Sequence, residues 1–510
     1  MSDNLSNNKR IAKNTILLYI RTFIILLVSL YTSRVVLSAL GVEDYGTYNV
    51  VGGFVAMFSL LSGALSNAIS RYITFELGRE DKERLKNVFS TSVTVQIILA
   101  LAVVLLAELF GIWFLNAKMN IPEGRMVAAN WVFQCSLLTF AINLISVPYN
   151  ACIIAHERMN VFAYVSILEA VLKLGTVLLL FVIGFDRLIT YAILMVFVAA
   201  VIRLIYGVYC GRHFEECHYQ YSINKPLIKE MSSLATWNML GAGGAVLNDY
   251  GVNVIMNMFF GVRVNAARGL SVQVNAAVTQ FVNSFTTAVN PQITKSYARE
   301  DTAYTFSLVM MSSKYSFFLM LLFAVPLIAE TPYLLEIWLK NVPAYTVLFV
   351  RLTLIISLIS TLSTSLYTLV ISTGNIKQYQ IIVGSLGLSC FFFTYVLYKF
   401  DAPVETTYYV SICINIIILF ARLFILSKQT GLNMARYLNK VVLRTIIVTI
   451  IVGTLSYGVL QIFSEKTFVN AIAVVIICEL FTVGIIILCG LSQYERSYLL
   501  SFIFKKEISI

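Results

Sequence analysis

Long apolar segments alternate with short polar ones along almost the whole chain. Each apolar segment has about 20 residues or more, the length at which an α-helix crosses the hydrocarbon core of a bilayer. No connecting loop exceeds about 20 residues, which leaves no room for a soluble domain of ordinary size. The pattern predicts an all-α polytopic membrane protein with about fourteen transmembrane helices. The predicted spans cover residues 15–33, 46–69, 88–113, 127–150, 160–183, 187–211, 232–258, 264–290, 305–329, 346–372, 379–399, 403–427, 439–461 and 468–490.

One predicted span, residues 264–290, is too polar for an ordinary membrane helix. Its polar residues recur three, four or seven positions apart, and apolar residues take the opposite side of the helix. Such a helix is predicted to line a wet space. The polar set comprises Asn265, Arg268, Asn275, Thr279, Asn283, Thr286 and Asn290, and the apolar set comprises Leu270, Val274, Val278, Phe281, Phe285 and Ala288.

The chain also contains an internal repeat. Residues 41–81 align without a gap with residues 261–301 when the sequence is shifted by 220 positions, and nine of the 41 positions are identical. Gly41 then lies opposite Gly261. Because many transporters consist of two duplicated halves, we interpret the repeat as a mark of two related lobes.

The repeat and the spans together predict four parts of the chain. A first lobe of six helices covers residues 1–211, and a second lobe of six helices covers residues 232–427. A cytoplasmic loop at residues 212–231 connects them. Residues 428–510 form two appended helices and a cytoplasmic tail.

The composition agrees with a membrane protein. Hydrophobic residues make up 59% of the chain, charged residues 12%, and the mean hydropathy is +0.82, whereas soluble domains have about 25% charged residues. The net charge of +11 is explained by basic loops, and no basic patch with interleaved aromatic residues indicates nucleic acid binding. Lys and Arg in the loops on the N-terminal side outnumber those on the other side by more than two to one. The positive-inside rule therefore predicts that both termini are cytoplasmic.

Several charged residues lie inside predicted spans, where each costs about 2.5–3.5 kcal/mol and so requires a partner or a function. Glu169 and Lys173 are one helical turn apart and are predicted to form an ion pair, with a cavity-facing Lys173 as the alternative. Asp249 and Arg268 are predicted to pair between adjacent helices. The residues of this kind that we single out are Arg21, Glu169, Lys173, Arg203, Asp249, Arg268, Lys314 and Glu479.

Arg21 and Lys314 have no acidic residue within reach in their own helices. They are therefore the cations that we expect to face a ligand. The alternatives are that each side chain extends to the membrane surface or pairs with a carboxylate on another helix.

No enzymatic or metal site is evident. The sequence has no Walker A motif, no HExxH motif and no paired-cysteine motif, so we predict neither an enzyme nor a cofactor. Cys210, His213, Cys217 and His218 are close in sequence, but their spacing matches no zinc signature. With Glu215 and Glu216 among them, we interpret this stretch as a solvated turn.

Four stretches carry a resemblance to a known family. They are NTILLYIRTF in the first span, LSALGVEDYGTYNVVGGF after it, LATWNMLGAGG in the seventh and NAARGLSVQVNAAVTQFVNSFTTAVNPQITKSYA in the eighth. They resemble the polysaccharide-transporter branch of the multidrug/oligosaccharidyl-lipid/polysaccharide (MOP) exporter superfamily, which includes the Wzx-type O-antigen and capsule flippases.

The resemblance implies a fold, a function and a site. It implies a V-shaped pair of lobes with alternating access to a central cationic cavity in a bacterial inner membrane. The implied cargo is an undecaprenyl-diphosphate-linked oligosaccharide, and polysaccharide polymerase machinery is a possible partner. The helices that line the cavity in that family correspond to those bearing Arg21, Lys173, Asp249, Arg268 and Lys314, to which we add Asn265, Asn275 and Asn283 as substrate-binding residues.

Three other functions are open to such a chain. A drug exporter of the same superfamily is expected to have an acidic cavity in its first lobe. A polymerase or ligase that acts on the same glycolipids is expected to have a large external loop with clustered His, Arg or acidic residues. A scaffold without transport activity would not need the polar stripe or the charges inside the spans.

Overall fold

The computed structural model describes residues 2–58, 69, 72–73, 76–77, 81–156, 158–220, 224, 226, 228, 246–463, 465, 467–493 and 495–496. Within these ranges the side chains are described from Arg21 onward, except at positions 287, 288, 291, 295 and 298.

The regular structure of the described residues is helical. The helices are α1 (Ser2–Ala56), α2 (Lys82–Lys118), α3 (Glu123–Ala155), α4 (Met159–Leu179), α5 (Arg187–His213), α6 (Val252–Phe260), α7 (Val262–Ala298), α8 (Thr302–Ala329), α9 (Thr331–Leu339), α10 (Thr346–Thr373), α11 (Lys377–Lys399), α12 (Thr406–Thr430), α13 (Met434–Ile462) and α14 (Phe468–Gly490).

Eleven helices of the described residues are long and apolar enough to cross a membrane. Ten of them correspond one to one to predicted spans. The eleventh, Arg21–Ala56, covers most of the predicted span 15–33 and the first part of the predicted span 46–69, of which residues 59–68 lie outside the described residues. The predicted span 232–258 lies largely outside the described residues. The predicted span 264–290 is present as α7, but its polar residues keep it out of the apolar set.

The chain divides into two compact units, Met1–Gly269 and Leu270–Ile510. This boundary lies within α7, whereas the sequence prediction placed the connection between lobes at residues 212–231. The difference arises because the first turns of α7 pack with α1 and α6, so they cluster with the first unit.

The two repeats share local backbone geometry. Gly41 interrupts α1 with φ 79° and ψ 172°, and Gly261 separates α6 from α7 with φ 79° and ψ −179°. This conformation is accessible essentially only to glycine. Forty residues after each glycine, Asp81 and Asp301 cap the following helix by accepting a hydrogen bond from the amide three residues later. The structure therefore supports the duplication that the sequence predicts.

The first unit has two apolar cores at opposite ends. One contains Phe89, Tyr149 and Tyr206 from α2, α3 and α5. The other contains Leu115 and residues of the part of α1 that follows Gly41, such as Val50. The polar cavity described next lies along α1.

Candidate functional site

A cavity of about 380 Å³ lies in the first unit. Its wall is formed mainly by α1 and α4, with one tyrosine from α5. It is lined by Arg21, Ile25, Val28, Ser29, Thr32, Ser33, Val36, Tyr45, Tyr48, Asn49, Ser166, Glu169, Ala170, Lys173 and Tyr191.

One face of α1 provides the longest side of this cavity. The lining residues between Arg21 and Val36 recur every three or four positions, which places them on a single stripe of the helix. Fifteen residues of α-helix rise by about 22 Å, so the stripe is long enough for an extended ligand. Arg21 lies at one end of this stripe, and Asn49 lies beyond the Gly41 break.

The structure brings three of the predicted charged residues together around the cavity. The Lys173 ammonium donates to the Glu169 carboxylate with an Nζ to Oε1 distance of 2.6 Å. Both side chains are still more than one third exposed, so the pair faces the cavity while remaining paired. The Arg21 guanidinium lies 4.7 Å from the centre of the Phe162 ring. The wall therefore carries two cations against one carboxylate.

Two buried polar atoms of the wall have no hydrogen-bond partner among the described residues. They are the Arg21 Nε and the Thr32 hydroxyl. A buried polar atom without a partner costs about 1–3 kcal/mol, so either group gains free energy when a polar ligand reaches it. This part of the cavity is suited to an anionic or hydroxyl-rich ligand.

Asn265 is not among the residues that line this cavity. Its side chain is fully buried, donates to the backbone oxygen and side-chain oxygen of Asn253 at 2.7 and 2.9 Å, and accepts from Asn257 at 3.0 Å. Asn257 also bonds the backbone of Asn120. The prediction that Asn265 binds substrate is wrong for this structure, because its amide is already occupied in a buried network that joins α6 to α7.

Arg268 and Asp249 are neighbours, as predicted, but the described hydrogen bonds of the guanidinium go to backbone carbonyls. Arg268 Nη2 donates to the carbonyl oxygen of Asp249 at 3.1 Å and to that of Asn248 at 3.4 Å. The Asp249 carboxylate acts on Arg268 electrostatically. Arg268 therefore bonds the backbone of the π-helical turn Leu247–Gly251, which precedes α6.

Part of the predicted polar stripe of α7 contacts α10. Ser357 donates to the Asn275 side chain at 2.7 Å, and Thr368 donates to the Asn290 side chain at 2.9 Å. Thr286 is buried, while Phe281 on the predicted apolar side is 42% exposed. The prediction that the whole stripe lines a wet space is therefore wrong. The side chain of the candidate Asn283 is exposed.

Lys314 pairs with a carboxylate from another part of the chain, which was one of the alternatives to a ligand-facing cation. Its ammonium is buried and contacts both carboxylate oxygens of Glu495 at 2.7 and 2.6 Å. Glu495 also accepts from the Ser492 amide at 2.7 Å. Lys314 therefore ties the segment after α14 to α8, and in this conformation it does not offer a free charge to a ligand.

Comparison with known proteins shows the family to which this chain belongs. Residues 11–297 match the family model described as "Polysaccharide biosynthesis protein", which covers more than half of the chain. The chain belongs to the polysaccharide biosynthesis protein family. The membrane protein EpsK of Bacillus subtilis (strain 168), which is described as uncharacterized, is 21% identical over 154 residues. That match spans 30% of each chain.

Solved structures with the same fold include transporters of the MOP superfamily. The structure described as "Lipid II flippase MurJ, inward closed conformation" is 14% identical, with a TM-score of 0.65, and the match covers 92% of this chain and 98% of that one. An inward-facing multidrug resistance MATE transporter is 13% identical, with a TM-score of 0.63, and the match covers 81% and 99%. This member of the polysaccharide biosynthesis protein family therefore has the fold of a MOP-type membrane transporter.

This family member also has a charged cluster that its sequence does not reveal, at the end of the first unit where Gly41 lies. Arg125 donates to Asp44 with an Nε to Oδ1 distance of 2.6 Å, and to Asp186 with an Nη1 to Oδ2 distance of 2.6 Å. Asp186 also caps α5. Burial raises the pKa of Asp186, but Arg125 and the amides of α5 lower it by more, so it lies below its usual range. No sequence spacing indicates this cluster, because its three residues lie far apart in the chain, in α1, at the start of α3 and just before α5.

Arg422 was missed although a signal was available. It lies inside a predicted span, where an arginine calls for an explanation. Its guanidinium donates to the Ser363 carbonyl at 3.0 Å and the Ser363 hydroxyl at 2.7 Å, and it lies near the rings of Tyr367 and Tyr379. In this polysaccharide biosynthesis protein Arg422 joins α12 to α10.

Proposed function

We propose that this protein flips an undecaprenyl-diphosphate-linked oligosaccharide repeat unit from the cytoplasmic to the periplasmic leaflet of a bacterial inner membrane. The repeat unit would serve the synthesis of O-antigen, capsule or exopolysaccharide. Both termini are then cytoplasmic, and transport proceeds by alternating access without ATP hydrolysis. Polysaccharide polymerase machinery is the expected user of the product.

The observation that carries the proposal is the polar cavity along α1. Arg21, with its unpartnered Nε, and the Lys173–Glu169 pair stand on the same wall as the Thr32 hydroxyl and Asn49. An arginine fork binds phosphate oxygens in a planar, two-point geometry, and hydroxyl and amide groups exchange hydrogen bonds with sugars. One cavity thus offers both kinds of partner that the cargo requires.

The need for such a cavity follows from the cargo. A diphosphate with a chain of sugar hydroxyls cannot cross hydrocarbon unaided, because each unpaired polar group costs several kcal/mol and each charge much more. The lipid tail can stay in the bilayer, so the protein has to shelter only the head group. The likeness to a structure described as a lipid II flippase supports a lipid-linked cargo.

A multidrug exporter is the second candidate, because MATE transporters share the fold. Cationic drugs require a net acidic cavity, whereas two cations face one carboxylate on this wall. The sign of the charge favours an anionic cargo. A polymerase or ligase is less well supported, since the sequence contains no large external loop for its active site.

The decisive experiment replaces Arg21 in a strain that depends on this gene for its surface polysaccharide. We expect Arg21→Ala to abolish surface polysaccharide at normal protein levels and to accumulate the lipid-linked intermediate in the inner leaflet. Arg21→Lys is expected to retain part of the activity, because it keeps the charge and loses the planar fork. Arg158→Ala, which removes an exposed arginine next to α4, is the matched control and should transport normally.

The competing role for Arg21 is to balance the charge of Glu169, which acts on it electrostatically. In that case an Arg21→Ala, Glu169→Ala double variant regains transport. Full surface polysaccharide in the double variant would rule out the ligand role of Arg21. Drug resistance that depends on the gene, with no change in lipid-linked intermediates, would instead support the exporter.

A further inference from the structure

Three thiols, a carboxylate and an imidazole converge at the end of the first unit opposite Gly41. The possible ligand atoms of Cys152, Glu216 and Cys217 lie within 4.8 Å of one another, and all three side chains are buried. Cys210, also buried, has its thiol beside that of Cys217. These residues come from the end of α3, the end of α5 and the 3₁₀ turn Glu215–Cys217.

The carboxylate of this cluster is held in place by a second residue. His156 Nε2 lies 2.5 Å from Glu216 Oε1, and the imidazole stacks on the Phe214 ring with 4.1 Å between centroids. One oxygen of Glu216 is therefore fixed by His156. A carboxylate oxygen of Glu216 also lies within 4.8 Å of the thiols of Cys152 and Cys217, so the group can serve as a ligand that an outer hydrogen bond supports.

A positive charge adjoins the cluster as well. The Arg203 guanidinium lies over the Tyr149 ring, 3.9 Å from its centre, and acts electrostatically on Cys210. Cys210 Sγ contacts the Tyr149 carbonyl oxygen at 3.6 Å. Thiolates gain stability next to a fixed cation, so the site can bear the negative charge that metal coordination by thiolates produces.

In the sequence, the stretch from Cys210 to His218 stands out for its two histidines as well as its cysteines. His213 and His218 do not join the cluster, because each makes its described hydrogen bond to a backbone carbonyl within three or four residues. The interpretation of a solvated turn is wrong for Glu216, which is 7% exposed. The thiol that completes the cluster, Cys152, lies almost 60 residues earlier in the sequence, so no local motif could reveal it.

We propose that Cys152, Cys217, Glu216 and Cys210 bind one thiophilic divalent ion of the Zn²⁺ type. A tetrahedral site with metal–sulfur bonds of about 2.3 Å keeps its ligand atoms about 3.8 Å apart. The ligand atoms of Cys152, Glu216 and Cys217 now lie within 4.8 Å of one another and need to close by about 1 Å at most, and the Cys210 thiol joins them from its place beside Cys217. Each coordinating thiol gives up its proton to solvent when the ion binds. Three soft sulfur ligands select Zn²⁺ over Mg²⁺ or Ca²⁺.

Such an ion would fasten the segment that follows α5. Three further contacts already hold this segment to α2: Lys82 pairs with Glu215 at 2.9 Å, the Tyr219 hydroxyl lies 3.2 Å from the Thr94 hydroxyl, and the Gln220 amide donates to Ser90 at 3.3 Å. The ion adds a link to α3 through Cys152. The proposed role is structural and does not depend on the identity of the cargo.

The test is titration of the purified full-length protein in detergent with Co²⁺, a spectroscopic substitute for Zn²⁺. We expect one equivalent to bind with the visible bands of tetrahedral Co²⁺ and the near-ultraviolet bands of sulfur coordination, and Zn²⁺ to displace it. Cys152→Ser and Cys217→Ser should remove the sulfur bands. His156→Ala should weaken binding by about 10- to 100-fold, as expected for a residue that orients a ligand.

Cys135→Ser is the matched control, since Cys135 is a buried thiol of the same helix outside the cluster. It should bind Co²⁺ as the unchanged protein does. If the cysteine variants do not fold, metal analysis of the unchanged protein decides instead: one equivalent of zinc released by a thiol-specific mercurial supports the site. Absence of tetrahedral Co²⁺ bands in the unchanged protein would overturn the proposal and leave His156 and Glu216 as a simple hydrogen-bonded pair.

Discussion

Asn265 shows how one residue type can serve two purposes in a membrane helix. Its spacing with other polar residues of α7 suggested a ligand-facing amide, yet the structure buries it completely among the amides of Asn253 and Asn257. Polar side chains join membrane helices by hydrogen bonds as readily as they bind ligands. Burial, which a sequence does not display, separates the two cases.

The first prediction concerns this network. Asn265→Ala leaves the Asn257 amide and the Asn253 side chain without their partner, so we expect a loss of about 1–3 kcal/mol in the free energy of unfolding. Thermal unfolding in detergent measures the change. Gln292→Ala, at an exposed amide of the same helix, should leave the unfolding temperature almost unchanged. Equal effects of the two variants would contradict the structural role of Asn265.

At the level of elements, the two repeats share the backbone conformation of the glycine that interrupts the helix in each of them. Gly41 and Gly261 have the same positive φ of 79°, and the equivalent residues Glu43 and Arg263 pair with each other at 2.6 Å. The two repeats therefore meet at this point. Identical backbone geometry at equivalent positions is stronger support for duplication than nine identities in 41 positions.

The second prediction follows from that geometry. Gly41→Ala and Gly261→Ala each force a Cβ into a backbone conformation that costs about 1–3 kcal/mol. The cost is one of backbone strain alone, because a Cβ at Gly41 meets nothing within 4 Å and a Cβ at Gly261 has only ordinary contacts. Both variants should unfold at a lower temperature, by similar amounts.

A helical glycine provides the comparison. Gly453 in α13 also has open space where a Cβ would lie but no positive φ, so Gly453→Ala should stabilise the helix by about 0.5–1 kcal/mol. An unchanged unfolding temperature for Gly41→Ala would mean that α1 does not need its break.

On the scale of the molecule, loops that follow one another along the first unit lie at its opposite ends. Arg125 joins Asp44 and Asp186 at one end, and Glu215 and Glu216 join Lys82 and His156 at the other. Alternate loops therefore meet at the same end, as a chain that crosses the bilayer repeatedly requires. The positive-inside rule then has to settle only which end faces the cytoplasm.

The third prediction is the outcome of that choice. Reporters fused after Lys118 or Lys340 should give a periplasmic signal, and those fused after Lys82 or Lys377 a cytoplasmic signal, because the loops of the second pair lie on the more basic side. Alkaline phosphatase and a fluorescent protein give opposite readouts and serve as controls for each other. A periplasmic signal after Lys82 would reverse the orientation of the whole chain.

The class of the protein follows from its sequence alone, since runs of about 20 apolar residues can satisfy their backbone hydrogen bonds in a bilayer only as helices. The duplication and the Glu169–Lys173 pair also follow from spacing along the chain, and Arg21 is a candidate because its charge lies within an apolar segment. Which polar residues already have a hydrogen-bond or ion-pair partner depends on the tertiary structure. Glu495 reaches Lys314, Asn253 reaches Asn265, and Cys152 reaches Cys217 only after folding, because each pair comes from different helices or loops. Periodicity describes one helix at a time, whereas burial and pairing depend on what the neighbouring elements bring to it.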